Sequence, residues 1–308
     1  MEISKLVIPT ASPGAKFLPF TKTISREMLP LLNKPLIQYL AEEALQSEIN
    51  NLFIITGKGK NSIIDHFDAS AQEESSMDPR EQNELLSGIN KIIRLANFNY
   101  IKQTENLGIG HEILLAKNSI HKEYFAIANP DDVIISKPTA LAQLIRIARQ
   151  EKASIVAVQE IPTEQVSSQA IVAIKKQITP NLFQLSHIVE KPQAKDAPSS
   201  LAIVGRYVLS YKIFNSLEYL STYASEELKL NDAVSHMMQQ NERVFAFKVQ
   251  GTRYDVSNPL SWIKSVISSS LQDSSYGPHI QKFISELQKN DPYLYSPAKT
   301  IDTNMQNL

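Results

Sequence analysis

The feature that most constrains this chain is the alternation of strand-like and helical segments through its first 160 residues. Residues 6–11, 51–56, 100–103 and 124–129 are short apolar or β-rich runs of the length of buried strands. Between them, residues 35–49, 60–67, 81–97 and 111–120 carry apolar side chains at helical spacing. Strands that alternate with helices build βαβ units and a parallel sheet covered on both faces. Residues 139–150 continue the pattern as a helix and 154–160 as a strand.

The pattern then changes. Residues 169–178, 182–189 and 200–210 are strand-like runs separated by turn residues without helices between them, which predicts an antiparallel section. Helical spacing returns at 212–220 and 230–240, a β-rich run covers 244–256, and helices at 258–272 and 278–288 close the chain before a loose tail of about a dozen residues. The polar stretch 69–80 is expected to be a solvated loop. No internal repeat is present.

The sharpest local signal is the exit from the first strand. The apolar run breaks at Ser12-Pro13-Gly14-Ala15 and continues into a segment bearing Lys16, Lys22, Arg26 and Lys34. A strand that empties into a tight cationic loop can hold phosphate, because ligands of open α/β sheets sit beyond the carboxyl ends of the strands.

Three further strand ends carry chemistry. Gln103 to His111 passes through Gly108 and Gly110 into a helix, where glycine allows close backbone approach and a glutamine offers the donor and acceptor that suit a nucleobase edge. Taken alone, a Gly-x-Gly before a helix is more often a plain turn. Asn129-Pro130-Asp131-Asp132 places paired carboxylates at a strand end, which suits a hard divalent cation, although four such residues alone slightly favour an Asx-capped turn. Arg253-Tyr254-Asp255-Val256 adds a lone carboxylate far away in sequence. Between these, Glu190-Lys191-Pro192 ends an apolar strand with a carboxylate able to accept from sugar hydroxyls and an ammonium able to hold phosphate as a point charge, or with an exposed salt-bridging end.

Composition removes other classes. The chain has 308 residues and no cysteine, which excludes disulfides, thiolate nucleophiles and zinc-thiolate or iron–sulfur sites. Its formal charge is −1, so nothing in the bulk field favours nucleic acid. No apolar run approaches the roughly 20 residues that span a bilayer, and the N-terminus lacks the pattern of a signal peptide, so a cytoplasmic protein without membrane or nucleic-acid partners is expected. His66, His121, His236 and His279 show no metal-ligand spacing, and only His111 and His187 lie beside candidate sites. No Walker-type loop, Gly-x-Ser-x-Gly elbow or His-Glu-x-x-His occurs.

From about Lys5 to Ile267 the chain resembles the bacterial UTP–glucose-1-phosphate uridylyltransferases of the sugar-phosphate nucleotidyltransferase family. The matching elements, in order, are Phe17-Leu18-Pro19, Glu27-Met28-Leu29-Pro30, Lys34-Pro35-Leu36-Ile37-Gln38-Tyr39, Asp65-His66-Phe67-Asp68, Leu107-Gly108-Ile109-Gly110-His111, Pro130-Asp131-Asp132, Val189-Glu190-Lys191-Pro192, Val204-Gly205-Arg206-Tyr207-Val208-Leu209 and Arg253-Tyr254-Asp255-Val256. The resemblance implies a Rossmann-like α/β fold: a mixed, mainly parallel sheet flanked by helices, with a small antiparallel β section and C-terminal helices. It divides the chain into a nucleotidyltransferase domain at 1–272 and a C-terminal helix and tail at 273–308.

The resemblance also implies roles. UTP binds over the first loop, at Ala11 and Gly14, with Gln103 and the backbone near Gly108 against uracil. Asp131 and Asp255 hold Mg²⁺, Lys191 grips the phosphate of glucose 1-phosphate, and Glu190 with the backbone near Gly205 meets the glucose hydroxyls. Lys16, Arg26, Lys191 and Asp131 form the catalytic set. Family members commonly assemble through peripheral helices, so a homo-oligomer is implied.

The chain departs from the family in the phosphate loop. The family's Ala-Gly-x-Gly-Thr-Arg is here Ala11-Ser12-Pro13-Gly14-Ala15-Lys16, its Lys-Glu-Met-Leu is Arg26-Glu27-Met28-Leu29, and Ser257 and Ser261 stand where glycine is usual. Proline removes a donor, and arginine gives a planar fork where lysine gives a mobile point charge. The retained Asp131 and Asp255 favour an active enzyme making UDP-glucose. The altered loop favours a paralogue that binds nucleotide or a partner enzyme without turnover, and the same chemistry on another sugar or nucleotide is a third reading.

Overall fold

The computed structural model describes residues 1–68, 79–223 and 227–290. Its strands are β1 (Lys5–Pro9), β2 (Pro30–Leu31), β3 (Lys34–Pro35), β4 (Asn51–Thr56), β5 (Asn97–Lys102), β6 (Tyr124–Ala128), β7 (Asp132–Ile135), β8 (Ser154–Glu160), β9 (Ala170–Thr179), β10 (Leu182–Glu190), β11 (Leu201–Ser210), β12 (Val244–Lys248) and β13 (Thr252–Asp255). The α-helices are α1 (Leu36–Gln46), α2 (Asn61–His66), α3 (Pro79–Leu95), α4 (Ile109–Leu115), α5 (Lys117–Ile120), α6 (Ala140–Glu151), α7 (Ile213–Ser221), α8 (Leu230–Gln239), α9 (Pro259–Gln272) and α10 (Gly277–Asn290).

Nine strands form one mixed sheet in the order β5-β4-β1-β6-β11-β8-β12-β10-β9. β10 and β11 run against the other seven, so the sheet is mainly parallel in direction. The antiparallel section expected at 169–210 is present, with β9 and β10 paired along the far edge. Alternation along each central strand feeds two cores. Leu6, Ile8, Leu52, Ile54, Ala126 and Ile155 meet Leu40 and Ala44 of α1 and Leu141, Leu144 and Ala148 of α6 on one face. Val7, Phe53, Ile55, Phe125, Ile127 and Val156 meet Ile113 of α4, Phe214 and Leu217 of α7, and Val234 and Met237 of α8 on the other. Burial on both faces explains why these strands read as continuous apolar runs.

A third, smaller core positions the site. Phe17 from the loop after β1, Leu29, Leu31 and Leu36 around the β2–β3 hairpin, Val133 of β7 and Tyr254 and Val256 around β13 pack together, with Trp262 and Val266 of α9 against them. Trp262 Nε1 donates to the Pro30 carbonyl at 3.0 Å, and α9 starts cleanly because Asn258 Oδ1 accepts from Ser261 N at 3.0 Å and Pro259 takes a position where no N–H is needed.

Several boundaries differ from the sequence reading. The run 244–256 is two strands in two sheets, because β13 leaves the main sheet after a turn at Gly251 and pairs with β7. β7 itself was hidden in the acidic turn it follows. The helix expected at 111–120 divides at Ala116 into α4 and α5. The loose tail and most of the 69–80 stretch lie outside the described residues; Pro79 and Arg80 open α3. Among the described residues no helix is long and apolar enough to cross a membrane.

Candidate active site

β1 lies between β4 and β6, and the chain reaches β4 and β5 on one side before crossing to β6 on the other. The carboxyl end of β1 is therefore a topological switch point, where open α/β sheets leave a crevice for ligands. The loops leaving β1, β4 and β5 are tied together there. Thr10 N donates to Ile55 O at 2.9 Å, Gln103 N to Thr56 O at 2.7 Å, and Ala11 N to Glu112 Oε2 at 2.9 Å.

The basic residues of the first loop are not equivalent. Lys16 lies exposed on a 3₁₀ turn, Ala15–Phe17, without an ion-pair partner among the described residues. Arg26, on the turn Arg26–Met28, is half-buried and grips Asp131, with Nη2 2.5 Å from Oδ1 and Nη1 3.2 Å from Oδ2. Its Nη2 is also 3.4 Å from Glu27 Oε1. Burial works against the Arg26 charge, and Asp131 and Glu27 outweigh it, so its pKa is raised. Glu27 is wholly buried and its other oxygen takes the buried Lys60 ammonium at 2.7 Å.

The two distant acidic strand ends converge. Antiparallel pairing of β7 with β13 sets Asp132 opposite Asp255, and Val256 N donates to Asp131 O at 2.8 Å. Burial pushes the Asp131 carboxyl up to about 6, Arg26 pulls it back, and Asp132, Glu27 and Asp255 add to the rise. Asp255 Oδ1 accepts from Ser257 N at 2.8 Å. The adjacent carboxylates Asp131 and Asp132 do not act as a pair: Asp132 turns into β7, where Arg253 Nε neutralises it at 2.5 Å. Two oxygen donors, Asp131 and Asp255, at an anion-accepting crevice fit a hard divalent cation that completes its shell with water and substrate phosphate.

Across the crevice, β10 ends at Glu190, whose Oε1 accepts from Asn231 Nδ2 at 2.6 Å, and Tyr207 OH donates to Asn231 Oδ1 at 3.0 Å. These residues line a cavity of about 210 Å³ with Asn129, Leu228 and Ile109. Lys191 is exposed and sits in the left-handed region at φ 46°, a conformation that costs about 1 kcal/mol in a non-glycine residue and recurs where a side chain must be aimed. Its N–H donates to Gln169 O at 2.9 Å.

Four of the positions expected to meet ligands are already engaged within the chain. The Ala11 amide is not free for a phosphate, since Glu112 holds it. The close approach allowed by Gly108 is to the chain itself: a Cβ there would lie 2.8 Å from Leu228 O. Gly205, at φ 66°, is required because a Cβ would lie 2.8 Å from the Asp132 carboxylate. The Gln103 side chain is buried, its Nε2 2.9 Å from His111 Nδ1. Sequence reasoning missed Glu112, Lys60, Asn231 and Tyr207, because a lone polar residue in a helical or strand pattern carries no sign of what it faces.

Residues 7–267 match the nucleotidyl transferase family model. The chain is 37% identical over 286 residues to the UTP–glucose-1-phosphate uridylyltransferase of Staphylococcus haemolyticus, covering 93% of this chain and 99% of that one. It is 37% identical over 288 residues to the enzyme of the same name from Bacillus subtilis, covering 93% and 97%. In structure it resembles a UTP-bound UGPase from Acinetobacter baumannii with a TM-score of 0.83 at 30% identity, over 93% of this chain and 100% of that one. It also resembles a UDP-glucose pyrophosphorylase complexed with UDP-glucose, with a TM-score of 0.79 at 33% identity over 88% and 100%. The chain belongs to the nucleotidyl transferase family and, within it, to the UTP–glucose-1-phosphate uridylyltransferases.

Proposed function

We propose that this protein transfers the uridylyl group of UTP to glucose 1-phosphate, giving UDP-glucose and pyrophosphate. The observation that carries the reading is the pairing of β7 with β13, which brings the chain at Asp255 alongside Asp132 and ties Val256 N to Asp131 O, while the Asp131 carboxylate contacts the guanidinium of Arg26. A phosphate oxygen of glucose 1-phosphate attacks the α-phosphorus of UTP in line, the new phosphorus–oxygen bond forms as the bond to the β-phosphate bridge breaks, and pyrophosphate leaves. Positioning and charge neutralisation then carry the rate, with no covalent enzyme intermediate.

In this reading the loop from Ala11 to Gly14 takes the nucleotide, with Gln103 and the backbone at Gly108 beside uracil. Lys16 and Arg26 neutralise the triphosphate, Arg26 exchanging Asp131 for a phosphate oxygen. Lys191 holds the sugar phosphate, and Glu190 with the backbone around Gly205 receives the sugar. Asp131 and Asp255 hold Mg²⁺, which when bound supplies charge to the transferring phosphoryl group.

The reading includes a cytoplasmic homo-oligomer without membrane or nucleic-acid partners, and a catalytic domain at 1–272 followed by a peripheral C-terminal segment. Oligomerisation is supported by Leu260, Ile263, Ile267 and Leu271, spaced three and four apart along one side of α9 and all exposed, with Phe283 and Leu287 exposed on α10. Chromatographic detection of UDP-glucose formed from UTP and glucose 1-phosphate in the presence of Mg²⁺ tests the activity; its absence in the presence of bound UTP would sink it.

A further inference from the structure

Lys60 is 4% exposed, and its ammonium is committed to one oxygen of a carboxylate that is itself fully buried. It stands on the loop between β4 and α2, and Glu27 links it to Arg26, one of the groups assigned to substrate. The carboxylate it holds, Glu27, shares its second oxygen with Arg26 at 3.4 Å, a long contact, while Arg26 spends its short contact on Asp131 at 2.5 Å. Lys60, Glu27, Arg26 and Asp131 therefore form one alternating chain of charges leading from the interior to the crevice.

We infer that Lys60 is a positioning residue for nucleotide binding: by taking one oxygen of Glu27, it keeps that buried carboxylate from closing on Arg26 and leaves the guanidinium able to reach an incoming triphosphate. The inference rests on the uridylyltransferase reading of Arg26. Its physical basis is that a buried carboxylate without a partner is costly, so it takes the nearest cation with both oxygens, and the planar fork of arginine fits that bidentate arrangement. With Lys60 in place, Glu27 is already compensated and its hold on Arg26 stays weak. Without Lys60, Arg26 is the nearest remaining cation and is drawn inward, away from the side of the crevice where phosphate arrives.

The test measures UTP affinity by calorimetry in the presence of Mg²⁺, together with KM for each substrate, for the parent, Lys60→Met and Lys60→Met with Glu27→Gln. Lys60→Met should weaken UTP about tenfold or more while KM for glucose 1-phosphate moves less than about threefold. Adding Glu27→Gln removes the competing carboxylate and should bring UTP affinity back to within about threefold of the parent. A purely structural lysine would lower thermal stability and both substrates alike, without rescue by Glu27→Gln. If Lys60→Met does not fold, Lys60→Gln, which keeps a donor to Glu27 without the charge, is measured against the same expectations. Unchanged UTP affinity in a folded Lys60 variant, or failure of Glu27→Gln to rescue it, overturns the inference and leaves the activity standing. A parent that binds no UTP overturns the functional reading, and the inference with it.

Discussion

Arg26 clasps both carboxylate oxygens of Asp131, at 2.5 and 3.2 Å, so the residue proposed to neutralise the triphosphate rests on the residue proposed to hold the metal. A fork across a carboxylate competes with any cation for the same lone pairs. Nucleotide and metal should therefore bind with positive coupling, because a triphosphate offers Arg26 another anion and releases Asp131. The free protein is expected to bind Mn²⁺, a spectroscopic substitute for Mg²⁺, about tenfold more tightly once Arg26 is changed to Gln. Paramagnetic resonance titration without nucleotide measures this, and equal Mn²⁺ affinities would show that the clasp does not guard Asp131.

Lys191 gives a test of how the site divides. It directly follows β10 with a left-handed backbone, is exposed, makes no ion pair among the described residues, and is remote in sequence from the loop assigned to UTP. Lys191→Ala should raise KM for glucose 1-phosphate by on the order of a hundredfold and KM for UTP by less than about fivefold. Equal losses would mean that the two substrates do not occupy separate halves.

Glu112 predicts a pH dependence of stability. Burial pushes its carboxyl up to about 7, with the Ala11 amide opposing and Glu27 adding to the rise. A carboxyl raised on folding binds more protons in the folded state than in the unfolded one. Its contribution therefore falls as pH rises from the unfolded value near 4.5 to about 7, by up to about 3 kcal/mol. Glu112→Gln keeps an acceptor for Ala11 N–H without the charge. It should match the parent in urea at pH 4.5 and exceed it at pH 8, and an equal difference at both pH values would contradict the assignment.

The exposed stripe on α9 predicts assembly. Ile267 sits in its middle, 45% exposed, between Ile263 and Leu271. Ile267→Lys should lower the mass measured by light scattering to that of a monomer, with little loss of thermal stability. A parent that is monomeric at micromolar concentration would contradict the oligomer.

Much of this was legible in the sequence because burial on two faces imposes continuous apolar strands. Residues 51–56 and 154–160 are strands with those same bounds. The catalytic candidates were legible as charge at strand ends, which is where a parallel sheet delivers its loops. What sequence could not convey was pairing between distant segments. β7 is four residues in an acidic turn and exists because β13 pairs with it. The same contact decides that Asp132 is neutralised by Arg253 while Asp131 faces the crevice. Nor could sequence convey that Glu112 holds the Ala11 amide at the start of the altered loop, a contact across 101 residues.

Pyrophosphate release from UTP, glucose 1-phosphate and Mg²⁺ tests the central claim most directly. The account predicts one pyrophosphate for each UDP-glucose formed, none when either substrate is left out, and a fall of on the order of a hundredfold or more for both Asp131→Asn and Asp255→Asn. A parent protein that binds UTP yet releases no pyrophosphate, or an Asp131→Asn variant that keeps near-parental turnover at saturating Mg²⁺, would contradict it.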